Sequence, residues 1–440
     1  MYKSFNSIEQ YIEWLNSREY LNNEYTIENI QSILEMYDNP QDKIRTIHIA
    51  GTNGKGSTCK YITEILSTKY NVGLFISPYI DNIYESIQYN GNYISGEDFC
   101  NIIDDFMPKI LELDKKNKYL TSFEILTAIM FKYFFDKKVD FAIIEVGLGG
   151  TFDATNIIKK PLATVITSIS MDHMNILGNN IRNIAKNKAG IIKNNIPVFL
   201  YPQKFVEAEE VIRETAKNKN CEVITFSQED IHEISINLEF NSFKYKNYIV
   251  KTSLVGVHQI LNASLAITVV EYYNKYLNLT REDIIKGLLN TSHGGRFEII
   301  NLFPTLIIDG AHNEDAIDML IESIKKLYHK RIIIGFSMLK DKNYLYSIKR
   351  LSEISETCFI TSINNPRTLD IDILEKETKK YFMNVYKFSD LKSAINRSIK
   401  IADKDDLVVW CGSLYLVKDI KKIINKIDFT DVGSINIKKS

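Results

Sequence analysis

The segment TIHIAGTNGKGST, residues 46–58, joins an apolar run to three glycines, one lysine and two hydroxyls. Gly51, Gly54 and Gly56 let the backbone turn sharply and aim successive N–H groups into one concavity, which suits phosphate oxygens. Lys55 brings a mobile positive charge for terminal phosphates. Ser57 and Thr58 bring hydroxyls for phosphate or magnesium, and Thr52 and Asn53 complete the turn. The spacing differs from the usual phosphate loop, which has a glycine five places before the Gly-Lys pair. That place holds Ile49, and Gly56 separates the lysine from the hydroxyls. A plain glycine-rich turn before an ordinary helix is the alternative reading. A dinucleotide site is disfavoured, because G-x-G-x-x-G is absent here.

Three more polar groups fall where apolar runs end. Glu145 sits near the close of the run 141–146. A buried carboxylate there is costly unless it is paired or metal-bound. Ser77 follows the run 72–76, and Asp172-His173 follows the run 163–168. A hydroxyl, a carboxylate and an imidazole can then meet on one sheet edge, where open α/β sheets bind ligands. They can share a magnesium with ATP, although magnesium prefers oxygen ligands. For His173 alone, a loop histidine is the alternative.

A phosphate loop needs a strand before it and a helix after it. Thr46–Ala50 reads as the strand, and 57–69 as the helix. The runs 72–76, 141–146 and 163–168 are short and nearly continuous, the pattern of parallel strands buried on both faces. Residues 123–135 read as an intervening helix, and two short helices are expected at 5–15 and 26–37. Residues 220–255 are strand-like but irregular, and 257–273 read as a helix. The alternation restarts after His293-Gly294-Gly295, with strands at 305–309, 331–337, 358–362 and 407–411. The glycine pair is a hinge candidate. The expected fold is α/β: an N-terminal phosphate-loop domain on a mostly parallel sheet, residues 1–293, and a smaller Rossmann-like domain, residues 294–440. The tail beyond Phe429 is expected to be loose.

The 440 residues are 45% hydrophobic, enough for cores in two domains. With 54 basic and 55 acidic residues the formal net charge is -1, which gives no reason to expect nucleic acid or a membrane as partner. No apolar run is long enough for a membrane span, and residues 1–10 lack the apolar core of a signal peptide. Cys59, Cys100, Cys221, Cys358 and Cys411 are scattered, with no C-x-x-C pair. That suits a reducing cytoplasm and argues against structural zinc. A cytoplasmic monomer is expected.

The motifs AGTNGKGS (50–57), SPYI (77–80), TSFE (121–124), EVGLGGTFDATN (145–156), SISMDHMNILG (168–178) and KAGIIK (188–193) follow one another along the chain. GVHQILNA (256–263), GGRFE (294–298), DGAHN (309–313) and GSLYLV (412–417) extend the series. In this set and order the sequence strongly resembles the folylpolyglutamate synthase family, often bifunctional with dihydrofolate synthase, within the Mur ligase superfamily. The resemblance implies an ATP-dependent amide ligase whose phosphate loop has the short G-T-N-G-K-G-S form. It implies ATP phosphates held by Lys55 and the backbone from Gly54 to Thr58, adenine met by Asn262, and phosphates reached by Arg296. Asp309 and His312 match the motif that meets nucleotide and incoming glutamate. Ser77, Glu145 and His173 match magnesium ligands. Lys188 matches a lysine that the family carbamylates, which turns a cation into an anion able to bind a second magnesium. Without the resemblance, Lys188 can contact phosphate as an ammonium, Asn262 can pack within its helix, and Asp309-Gly310 can be a strand-ending turn.

The implied reaction moves the γ-phosphoryl of ATP onto a substrate carboxylate. The α-amine of glutamate then attacks the acyl phosphate, leaving an amide, ADP and phosphate. Lys55, Arg296 and magnesium meet the gathering negative charge, and domain closure excludes water. Lys188 and His312 join Lys55 and Arg296 as expected catalytic residues. The implied acceptors are folates and dihydropteroate. Departures from the family pattern include Tyr79 for histidine, Ser86 and Thr151 for arginines, Asn187 for glutamate, Glu314 for proline and His293-Gly294 for a tryptophan-proline pair. Several lie near the pterin side, so ligation is better specified than the acceptor. The competing readings are a Mur-type ligase for another carboxylate and a non-catalytic nucleotide-gated binding protein.

Overall fold

The computed structural model describes residue 5, residues 7–19 and residues 27–427. The tail beyond Phe429 and the first residue of the helix expected at 26–37 lie outside the described residues. The chain divides into two compact units. One is Met1–Asp230 with Asn262–Asn290, and the other is Ile231–Leu261 with Thr291–Ser440.

The first unit is built on an eight-stranded sheet. In spatial order its strands are Asn92–Tyr93, Ile87–Tyr89, Val72–Phe75, Phe141–Glu145, Thr46–Ala50, Ala163–Ile166, Val198–Leu200 and Val223–Thr225. From Val72–Phe75 onward all neighbours are parallel, and the first two strands pair antiparallel. Every residue of Thr46–Ala50, Phe141–Glu145 and Ala163–Ile166 is buried, which is why these strands read as mostly apolar runs without polar alternation. Thr46–Ala50 lies between the other two, with Ile49 opposite Glu145 and Ala50 opposite Ile166. That register delivers the glycine loop, Glu145 and the segment after Ile166 to one edge of the sheet.

Several strands end sooner than the apolar runs suggest. Val146 N still donates to Ile49 O at 2.9 Å and Thr167 N to Ala50 O at 2.8 Å, so the difference is one of terminal assignment. The helix after the glycine loop spans Lys55–Ser67, starting two residues before the expected 57. The helix Ser122–Asp136 opens on a capping box: Thr121 Oγ1 accepts from Glu124 N at 3.3 Å, and Glu124 Oε2 accepts from Thr121 N at 2.8 Å. The helices near the N-terminus are Ile8–Ser17 and Glu28–Leu34.

The second unit holds two sheets. Ile231–Ile236, Asn241–Tyr245 and Tyr248–Thr252 form an antiparallel three-stranded sheet. The other has six strands, in the order Glu298–Leu302, Thr305–Asp309, Leu407–Cys411, Ile332–Phe336, Thr357–Ile360 and Asn384–Lys387. Only its Glu298–Leu302 edge is antiparallel. The boundary at 293/294 placed residues 231–261 in the first domain, whereas their contacts join them to the second unit. Packing accounts for this: Val255 lies in the hydrophobic core of the second unit and Ile236 and Leu238 pack against it, while Asn241 Nδ2 donates to Leu254 O and Gly256 O, both at 2.9 Å, holding the small sheet to the chain that follows. Val257 N then donates to Ser323 Oγ, on the helix Glu314–Lys325, at 3.0 Å. The helix expected at 257–273 runs Val257–Leu277. Among the described residues no helix is long and apolar enough to cross a membrane. All five cysteines are free thiols.

Candidate active site

At the end of Thr46–Ala50 the chain enters a turn that side chains cannot fill. Gly51 has φ +154, and a Cβ there would lie 1.8 Å from Thr167 Oγ1. Thr52 N and Asn53 N both donate to Ser168 O, at 2.7 and 3.3 Å. Thr52 Oγ1 donates to Ser170 O at 3.1 Å and accepts from Ser170 N at 3.0 Å. The segment 168–170 therefore clamps the loop before it turns into the helix. Gly54 caps that helix at φ +86, and a Cβ there would lie 2.4 Å from Asn262 Oδ1. Asn262, 2% exposed, thus packs directly against the cap. Thr58 N donates to Gly54 O at 2.9 Å, and the buried Thr58 hydroxyl has no hydrogen-bond partner. Thr58 N thus makes the first bond inside the helix, and Lys55, Gly56 and Ser57 form the helix start, the kind of turn that suits an anion.

Charges converge on this turn. Lys55 Nζ lies 3.7 Å from Glu145 Oε1 and donates to Thr52 O at 3.3 Å. Glu145 Oε2 accepts from Ser77 N at 3.1 Å. A carboxylate only 4% exposed is held by a cation and a backbone N–H, which offsets its desolvation. Lys188, on the helix Ile181–Ala189, donates from Nζ to Gly51 O at 2.7 Å. Burial, and then the charge of Lys55, pulls the Lys188 amine down to about 7, against the opposing pull of Asp172 and Asp153. His173 sits at φ +49 at the start of the short helix Met174–Leu177, with Nε2 3.9 Å from Asp172 Oδ2. Its side chain is 41% exposed, while that of Asp172 is 8% exposed.

Asp153 was not singled out in the sequence. Its carboxylate accepts from Leu148 N at 2.8 Å and Thr155 N at 3.0 Å, folding the loop that leaves Glu145. An aspartate followed by Ala-Thr-Asn is a local turn signal that could have found it. Among the described residues no group of three or more His, Cys, Asp or Glu side chains is arranged to hold a metal ion. Ser77 and Glu145 together offer hydroxyl and carboxylate oxygens, the donor chemistry magnesium prefers, so this pair fits the ion.

In the second unit Asp309 ends its strand with both carboxylate oxygens engaged. Oδ2 accepts from Phe297 N at 2.6 Å and Oδ1 from Ala311 N at 2.7 Å. The turn at Asp309-Gly310 is thus a built one. Gly310 leaves room for Arg296, whose Nη1 would lie 3.3 Å from a Cβ there. His312 Nδ1 lies 2.8 Å from Gly310 O. A carbonyl only accepts, so Nδ1 carries the proton. Asn313 caps the helix Glu314–Lys325 by accepting from Ala316 N at 2.9 Å. Arg296, Asp309 and His312 therefore gather around one turn, as Lys55, Glu145, Ser77, Lys188 and Asn262 gather around the glycine loop.

Comparison with known proteins agrees with this geometry. The Mur ligase middle domain matches residues 49–270, and the glutamate ligase domain of Mur ligases matches residues 295–414. The dihydrofolate synthase/folylpolyglutamate synthase of Bacillus subtilis is 37% identical over 432 residues, covering 93% of this chain and 97% of that relative. The crystal structure of folylpolyglutamate synthase from Thermotoga maritima superposes with a TM-score of 0.81 at 32% identity, covering 95% of this chain and 96% of that one. Folylpolyglutamate synthase of Mycobacterium tuberculosis, solved with ADP and AMPPCP, gives a TM-score of 0.86 at 25% identity, covering 94% and 98%. The chain belongs to the folylpolyglutamate synthase/dihydrofolate synthase family of Mur ligases.

Proposed function

We propose that the protein is an ATP-dependent ligase that joins L-glutamate to a folate, as a tetrahydrofolylpolyglutamate synthase, with dihydropteroate as a second acceptor. The observation that carries this is the helix start at Lys55–Ser57, with the Lys55 ammonium 3.7 Å from a buried carboxylate, Glu145, at the same sheet edge. A carboxylate is a poor electrophile until its oxygen is phosphorylated, and the phosphoryl oxygens then need donors and cations. The helix-start amides bind and orient the phosphates. Lys55 stabilises the charge that develops on the transferred phosphoryl. By resemblance Asn262 would meet adenine, Arg296 would serve the phosphates, Asp309 the nucleotide and His312 the incoming glutamate.

Magnesium would be held by Ser77, Glu145 and His173, and would neutralise phosphate charge there. Lys188 is suited to carbamylation. With its pKa drawn down to about 7, much of it is neutral at neutral pH. A neutral amine can attack CO2 and shed a proton, becoming a carbamate whose single negative charge is shared by two oxygens. We place the enzyme in the cytoplasm as a monomer, which gel filtration tests. The catalytic reading is tested by incubating the purified protein with ATP, magnesium, glutamate and a reduced folate. ADP and a glutamylated folate should form in equal amounts. ADP without a new amide, across dihydropteroate and tetrahydrofolates, overturns the reading.

A further inference from the structure

The clamp on the glycine loop is itself held from behind. Gln203 stands three residues after the strand Val198–Leu200. Its Nε2 donates to Thr167 O at 3.1 Å and to Tyr201 O at 2.6 Å, and its Oε1 accepts from Ile169 N at 2.9 Å. The network fixes which amide atom is which, since the flipped group would turn its oxygen on two carbonyls. Thr167 and Ile169 flank Ser168, and Ser168 O receives the N–H groups of Thr52 and Asn53. One side chain thus bonds the peptide groups on both sides of the residue that holds the loop. The sheet does not need it there: Tyr201 N already donates to Ile166 O at 2.9 Å, and Thr167 N to Ala50 O at 2.8 Å. The bonds of Gln203 serve the segment beyond the sheet, which also carries Ser170 and leads to Asp172 and His173.

We propose that Gln203 is a positioning residue for nucleotide binding, acting through Ser168 on Thr52 and Asn53. This rests on reading the 51–58 loop as the nucleotide site. A displacement of the clamp moves the loop amides relative to the phosphates, and binding that depends on several aligned donors is sensitive to such shifts. Leucine in place of glutamine keeps the volume but removes all three bonds.

The test compares the wild type with Gln203→Leu by calorimetric binding of AMPPCP with magnesium, by KM for ATP and for glutamate, and by thermal unfolding. The expected result is a rise of about tenfold in Kd for AMPPCP and in KM for ATP, with KM for glutamate unchanged and Tm nearly so. A wild-type Kd, or an equal rise in both KM values, overturns the proposal. Gln203→Glu covers the case where the leucine variant does not fold. It keeps the acceptor for Ile169 N but turns an oxygen on two carbonyls, so AMPPCP binding should weaken at pH 8. It should recover relative to wild type as the pH falls, because a protonated carboxyl can donate one of the lost bonds. Wild-type affinity for Gln203→Glu at pH 8 also overturns it. AMPPCP affinity is read independently of glutamylation: tight binding without amide synthesis by the wild type defeats the catalytic reading and leaves this one standing.

Discussion

Replacing Gly54 by alanine tests the geometry of the cradle in two separable ways. At φ +86 a non-glycine residue pays a steric penalty of about 1–2 kcal/mol. The new Cβ would also lie 2.4 Å from Asn262 Oδ1, roughly 1 Å inside ordinary contact. Asn262 is only 2% exposed, so its side chain cannot swing freely away, and overpacking of this kind costs about 1–3 kcal/mol. The single mutant should therefore lose about 2–5 kcal/mol of stability. Asn262→Ala deletes the atom that is struck but leaves the backbone penalty. In a double-mutant cycle, Gly54→Ala should be less damaging in the Asn262→Ala background by about 1–3 kcal/mol. Urea unfolding of the four proteins measures this, and KM for ATP should rise on the order of tenfold or more in each variant that moves the cap. An additive cycle would show that the two residues do not meet. Gly54→Ala with wild-type stability and KM would refute the cradle itself.

Lys55→Ala should lower the ligation rate on the order of 10²–10³-fold, the usual loss for one major electrostatic contact. Near-wild-type turnover in steady-state assays would remove Lys55 from its assigned role. Glu145→Ala should weaken magnesium-dependent ATP use, seen as a higher magnesium concentration for half-maximal rate, and an unchanged magnesium titration would count against it. Labelling with ¹³C-bicarbonate should give a carbamate NMR signal that is absent in Lys188→Ala and grows as the pH rises through about 7, where the buried amine loses its proton. No signal in the wild type ends the carbamate proposal in favour of an ammonium. His48, fully buried on the strand Thr46–Ala50, has its pKa pushed down to about 3 by burial and by the charge of Lys193, from 6.5. Between those values the unfolded chain binds a proton that the folded one refuses. Stability is complete above about pH 6.5 and falls with pH below it, by up to about 1.4 kcal/mol per unit from this group. His48→Gln should flatten that acid limb of the unfolding curve, and an identical pH dependence would show that His48 does not contribute.

What could be read from the chain was what local sequence encodes. Gly51, Gly54, Lys55 and Ser57 announce a phosphate turn by residue type, and the apolar runs before Glu145 and Thr167 announce the sheet edge. The clamp from Ser168 and Ser170 could not be read, because bonds to main-chain atoms so far along the chain leave no local signature. Gln203 was hidden for the same reason. The strand Val198–Leu200 is three residues long, too short for a periodicity to register. The hairpin Ile87–Tyr89 with Asn92–Tyr93 had a legible turn signal in Asn90-Gly91, both at positive φ. That residues 231–261 make their contacts with the second unit could not be read, because strand pairing there says nothing of where the small sheet packs, and the contacts that settle it are those of Ile236, Leu238 and Val255 with that unit's core and of Val257 N with Ser323 Oγ.

The central claim is that a folate carboxylate is activated as an acyl phosphate and then captured by glutamate. Its most direct test follows an ¹⁸O-labelled folate carboxylate through one turnover with ATP, magnesium and glutamate. The account predicts one ¹⁸O in the released inorganic phosphate for each glutamate added, with ADP in equal amount. Phosphate free of the label, alongside a normal yield of glutamylated folate, would contradict it.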